Sequence, residues 1–114
     1  MKEVKAYVRV RIVEKVVSAL EDAGFCCMTV IDVSALGHLA DAQDAKYSIE
    51  FVEKHSKMAK IELVCKNENV DAVVKVIREA GCTHQPGDGI IFVAPVEQAV
   101  KIRTGEAGKG ILHV

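Results

Sequence analysis

The sequence predicts an α+β sandwich with the element order βαββαβ, and three observations carry that prediction. Apolar side chains alternate with charged ones near the N-terminus, apolar residues then recur at helical spacing, and both patterns return 57 residues later. Val4, Ala6, Val8 and Val10 alternate with Lys5, Tyr7, Arg9 and Arg11, the period of a half-buried strand. Val13, Val16, Val17 and Leu20 then fall at i, i+3, i+4 and i+7, which predicts a helix, and Gly24 stands where a left-handed C-terminal cap is wanted. Phe25 to Leu36 is rich in β-branched and apolar residues and reads as a second strand.

The second unit repeats the first. Ala59 to Cys65 predicts a third strand, with Ile61 and Leu63 in the places of Val4 and Ala6. Val70, Val73, Val74 and Ile77 predict a second helix, for which Asn67 or Asn69 would be the cap and Gly81 the terminating glycine. Ile90 to Val93 predicts the fourth strand. Two βαβ units in one sheet give the split βαβ, ferredoxin-like sandwich, with both helices on one face. The segment from Gly37 to Met58 is too long for a hairpin turn; it reads either as a functional loop or, because Tyr47, Ile49 and Phe51 alternate with polar residues, partly as an extended ribbon.

A chain of 114 residues supports one hydrophobic core, so residues 1–114 are taken as a single domain. Half the residues are apolar but only 4% are aromatic, so Val, Ile, Leu and Ala must build that core. Two helices cover only one face of the sheet, and association of sheets between subunits is the economical way to bury the other. With 15 basic and 16 acidic residues the chain has no general affinity for polyanions, so neither nucleic acid nor a membrane surface is expected as a partner. No apolar run approaches the length of a membrane span, and the N-terminus does not read as a signal peptide, so a cytoplasmic protein is expected. Cys26, Cys27, Cys65 and Cys82 show no metal or disulfide spacing and are expected to be reduced and mostly buried.

The stretch Thr83-His-Gln-Pro-Gly-Asp-Gly ahead of the fourth strand has two readings. Pro86-Gly87-Asp88-Gly89 suits a tight turn, and the same glycines at positive φ would present backbone N–H groups to phosphate oxygens. Lys101 and Arg103 would project from one face if their segment were extended and would supply the positive charge.

Thr83, Gly87-Asp88-Gly89, Ile91-Phe92-Val93, Pro95-Val96 and Lys101-Ile102-Arg103-Thr104-Gly105-Glu106 resemble the C-terminal signature of the PII nitrogen-regulatory signalling proteins. Gly24, Met28-Thr29-Val30, Lys60-Ile61-Glu62 and Asp71-Ala72-Val73-Val74 add to the resemblance, which spans nearly the whole chain outside residues 37–58. It implies a homotrimer of ferredoxin-like subunits, with ATP, ADP or AMP bound in each intersubunit cleft. Thr29, Glu62 and Val64 would surround the adenine, Gly87, Asp88 and Gly89 would cradle the phosphates, and Lys101 and Arg103 would supply cations. Residues 37–58 would be the family's T-loop, which docks on a target enzyme, transporter or regulator. No catalytic residue is implied.

Departures from the family pattern fall at functional positions. Ile90 replaces a phosphate-binding lysine, and His84-Gln85-Pro86 replaces the usual approach to the turn. Leu39 and Met58 replace residues that serve magnesium and 2-oxoglutarate, which argues against that response. Phe51 stands at the position of the modified tyrosine of enteric members, so uridylylation is not predicted. His38, Asp41, Asp44, Glu50, Glu53 and His55 match no metal motif. Two other classes compete with a regulator: a phosphate-ester enzyme using His84 and Asp88 as an acid–base pair, and a trimeric ion- or small-molecule-binding protein that uses neither glycine turn nor cations for nucleotide.

Overall fold

The computed structural model describes residues 1–36 and 57–112. Strand β1 (Lys2–Arg9) leads through a 3-10 turn (Val10–Ile12) into helix α1 (Val13–Asp22), and β2 (Thr29–Ser34) follows. Strand β3 (Lys57–Cys65), a 3-10 turn (Asn67–Asn69), helix α2 (Val70–Gly81) and β4 (Ile90–Pro95) repeat that order, and a last 3-10 turn spans Lys109–Ile111. The sheet order is β2-β3-β1-β4, with every neighbouring pair antiparallel. In each βαβ unit the two strands therefore run parallel with another strand inserted between them, as the split βαβ arrangement requires.

The helical spacing is explained by what it buries. Val16 and Leu20 of α1 and Val73 and Ile77 of α2 meet Val4, Ala6 and Val8 of β1 and Ile61, Leu63 and Cys65 of β3 in one core. Each large apolar side chain fully removed from water contributes about 1.5–3 kcal/mol. The α1 end is a Schellman cap: Gly24 takes φ +89, its N–H bonds Glu21 O at 2.9 Å, and the Phe25 N–H bonds Leu20 O at 2.9 Å.

Several expectations are corrected. Gly81 is not a second left-handed cap: it is the buried last residue of α2, with Val16 and Val8 methyl groups 3.7 Å from where a Cβ would stand. Neither Asn67 nor Asn69 caps α2 with its side chain, since a 3-10 turn closed by the Asn69 N–H on Lys66 O at 3.0 Å starts the helix instead. The second strand begins at Thr29, not Phe25, because Cys27 adopts φ +68 and breaks the extended path. Of the cysteines only Cys65 is buried, where desolvation pushes its thiol up, whereas Cys26, Cys27 and Cys82 are exposed. Lys57 and Met58, assigned to the long segment, belong to β3, and Met58 is 3% exposed against Ala35, Tyr7 and Val33. The remainder of the T-loop expectation, with Leu39, Phe51 and the polar residues between 38 and 55, lies outside the described residues.

The face opposite the helices carries Glu3, Lys5, Tyr7 and Arg9 of β1, Ile90 and Phe92 of β4, Ile31 of β2 and Lys60 and Glu62 of β3. Phe92 is 51% exposed and stands edge-on to Tyr7, with ring centroids 6.1 Å apart. Lys5 pairs with Glu3 at 3.0 Å and Lys60 with Glu62 at 2.8 Å, so charges interleave with the apolar side chains on this face.

Candidate ligand-binding site

The predicted residues form three groups. The first is the turn before β4, where Gly87 and Gly89 take φ +92 and +104. At Gly89 a Cβ would stand 1.7 Å from the Tyr7 carbonyl oxygen, so only glycine lets this backbone approach β1 so closely. Between the glycines, the Asp88 carboxylate is turned into the loop. It accepts the Thr83 N–H at 2.7 Å, the Thr83 hydroxyl and the Arg9 Nε–H at 3.5 Å, while the Arg9 guanidinium also donates to the Pro86 carbonyl. Partial burial pushes the Asp88 carboxyl up, but the Thr83 and Arg9 hydrogen bonds outweigh it and hold the group below its ordinary range. Asp88 thus orders the turn. A cavity of about 390 Å³ lies beside the turn, walled by Gly89 to Ile91, Tyr7 and the α2 residues Val74, Ile77 and Arg78.

The second group does come together. Thr29 pairs with Glu62 across β2 and β3, and with Val64 they line a cavity of about 310 Å³. Its remaining wall comes from Glu3, Cys27, Leu63, Ile111 and Leu112, so the C-terminal 3-10 turn returns the chain to this site. With the Glu3 and Glu62 carboxylates and the Thr29 hydroxyl set among apolar side chains, the cavity suits a flat heterocycle with hydrogen-bonding edges.

The third group corrects the extended-segment expectation. Val100 bridges Ala107, the Lys101 N–H bonds Glu106 O at 2.8 Å, and the Gly105 N–H bonds Lys101 O at 2.8 Å with Gly105 at φ +76. Lys101 to Glu106 is therefore a closed loop at the tip of a ribbon, with Ile102 fully exposed at 102% and Arg103 exposed beside it. Neither cation lines the cavity beside the glycine turn or the one around Thr29 and Glu62.

Within one chain the glycine turn and the Thr29–Glu62 cavity do not meet. The turn leads into β4 and Thr29 begins β2, the opposite edges of the sheet. Three strand spacings, about 14 Å, separate those edges.

The family model described as nitrogen regulatory protein P-II matches residues 1–106. The chain belongs to the P-II family. A P-II relative from Rhodobacter capsulatus is 38% identical over 113 residues, 96% of this chain and 97% of the relative. A "Nitrogen regulatory protein P-II 2" from Methanothermobacter thermautotrophicus is 41% identical over 113 residues, 96% of this chain and 95% of that one. The fold matches the crystal structure of Arabidopsis thaliana PII bound to citrate with a TM-score of 0.79 and 35% identity, over 96% of this chain and 89% of that chain.

At the position after the glycine turn this P-II chain presents Ile90, 42% exposed on the sheet face, where the family pattern has a lysine. His84 takes φ +63 and its Nδ1 lies 3.6 Å from Cys82 Sγ. Since Asp88 is occupied by Thr83 and Arg9, the acid–base pair considered for a phosphate-ester enzyme is not formed. Sequence reasoning missed Arg9 and Thr83 as supports of the turn, and Cys27, Ile111 and Leu112 as cavity wall. A carboxylate between two glycines, which needs donors to hold it, was a usable signal for the first pair; nothing in the sequence marked the return of the C-terminus.

Proposed function

We propose that this P-II chain is a non-catalytic signal-transduction regulator that binds an adenine nucleotide between subunits of a homotrimer. The observation that carries the reading is the separation, within one chain, of the glycine turn from the Thr29–Glu62 cavity, with no residue common to the cavities at the two places. Thr29 lies three strand spacings, about 14 Å, from the β4 edge that the Gly87–Gly89 turn leads into, and Glu62 and Val64 lie two, about 10 Å, so in this reading a neighbouring copy supplies the other half. The exposed apolar side chains of the outer face, Ile31, Ile90 and Phe92, give such copies a surface to bury.

In this arrangement the adenine edge bonds Thr29 and Glu62, and its ring packs on Val64. The phosphates lie on the Gly87 and Gly89 amides, and Lys101 and Arg103 reach them from the exposed ribbon tip, which is free to project toward an adjoining copy. Occupancy shifts the chain between arrangements only by the ligand's differential affinity for them, and a target protein reads the result. The substitution of Ile90 and Met58 for family lysines supports a ligand response that differs from the magnesium- and 2-oxoglutarate-dependent one.

Calorimetric titration with ATP, ADP and AMP tests the reading. At least one nucleotide is expected to bind, and Arg103→Ala is expected to weaken it about 10- to 100-fold, the loss of charge-assisted hydrogen bonds worth about 1.5–3 kcal/mol. Absence of binding by all three at millimolar concentration, or unchanged affinity in Arg103→Ala, contradicts it.

A further inference from the structure

Adjacent side chains on an extended strand point to opposite faces, yet the Cys26 and Cys27 sulfurs lie 3.0 Å apart. The left-handed backbone of Cys27, φ +68, is what turns them together. A non-glycine residue pays about 1–2 kcal/mol for that conformation, so the pairing is imposed by its surroundings. Those surroundings are firm on both sides: the Gly24 cap ends α1, and Thr29 is locked to Glu62 in the sheet. Both thiols are exposed, and Cys27 lines the Thr29–Glu62 cavity.

We propose that Cys26 and Cys27 are a reversible thiol–disulfide modification site, oxidised by low-molecular-weight disulfides, that reshapes the neighbouring cavity. The thiolate of one cysteine attacks the reagent's S–S bond, forming a mixed disulfide and releasing one thiol. The second cysteine displaces the other half, so one intrachain S–S bond forms, two protons and two electrons leave the protein, and the reagent is reduced to two thiols. The hydrogen bond with Cys26 holds the Cys27 thiol above its ordinary range. The sulfurs need close only by about 1 Å to reach bonding distance, whereas adjacent Cα atoms, about 3.8 Å apart, fall short of the usual disulfide span of about 4.4–6.8 Å. A bond so constrained is easily reduced, the property of a regulatory and not a structural disulfide. Closing it rotates Cys27, and with it the wall of a cavity whose other side is fixed in β3.

The full-length protein, incubated with graded ratios of oxidised to reduced glutathione, is the test. Mass mapping should show loss of two hydrogens on the peptide carrying both cysteines, reversed by dithiothreitol and absent in Cys26→Ser and Cys27→Ser. In the same samples the amide resonances of Thr29, Glu62 and Val64 should shift on oxidation while those of Asp71 and Lys75 on α2, across the sheet from the cavity, stay in place. Glutathione adducts alone, bridges to Cys65, Cys82 or another chain, or a disulfide that leaves Thr29, Glu62 and Val64 unmoved would each overturn the proposal. Both readouts are taken without nucleotide, so their failure is separate from a failure of nucleotide binding.

Discussion

Gly89 and Asp88 do different work in the same turn, and substitutions separate them. In Gly89→Ala the new methyl group meets the Tyr7 carbonyl and must push β4 from β1, so a loss of about 2–4 kcal/mol is expected in urea unfolding. Gly24→Ala is the control, because its Cβ would meet nothing within 4 Å and only the left-handed backbone is penalised, by about 1 kcal/mol. Asp88→Asn should cost about 1–2 kcal/mol at neutral pH by removing charge from the Thr83 and Arg9 bonds. The folded carboxyl lies below its unfolded value, so its contribution is complete above about pH 4 and is lost as pH falls through the folded pKa. The stability gap between wild type and Asp88→Asn should therefore close in acid. A gap that is constant with pH would show that the charge on Asp88 is not what holds the turn.

At the scale of elements, the two helices carry the core. Ile77→Ala in α2 leaves a cavity beneath Val4, Ile61 and Val73 and should cost about 2–4 kcal/mol by chemical denaturation, whereas Val74→Ala, at a half-buried position, should cost less than half as much. These elements were legible because burial repeats with the backbone period: Val13, Val16, Val17 and Leu20, and their counterparts 57 residues on, mark a face whatever surrounds them. Their ends were less legible. Gly24 and Gly81 look alike in sequence, but one is a left-handed cap and the other a buried helical residue under Val16, a difference set by packing. Similarly, the spacing of Lys101 and Arg103 suggests an extended segment, whereas the Val100–Ala107 bridge and Gly105 close it into a loop through contacts that no local pattern records. The glycine turn was readable from residue chemistry; its dependence on Arg9, 79 positions away, was not.

At the scale of the molecule, the sheet holds the Thr29–Glu62 cavity and the glycine turn apart. β3 and β1 stand between Thr29 and the turn ahead of β4, and the cavity that β3 and β1 help to line shares no residue with the one beside the turn. The proposed homotrimer would resolve this by repetition, because each copy would offer its cavity to one neighbour and its glycine turn to the other. Sedimentation of the protein should accordingly give the mass of three chains, and Phe92→Asp, which puts a charge on the outer face, should shift it toward one. A stable monomer that binds nucleotide would contradict the assembly.

The most direct measurement mixes two variants, each lacking one half of the proposed site: Val64→Arg, which fills the cavity, and Gly87→Asp, which sets a strained, negatively charged residue in the glycine turn. Each alone should fail to bind ADP. After the two are unfolded and refolded together, composite sites pairing an intact cavity from one chain with an intact turn from the other should restore about a quarter of wild-type ADP capacity. No recovery from chains that co-assemble would contradict a site shared between subunits and place the ligand within a single chain.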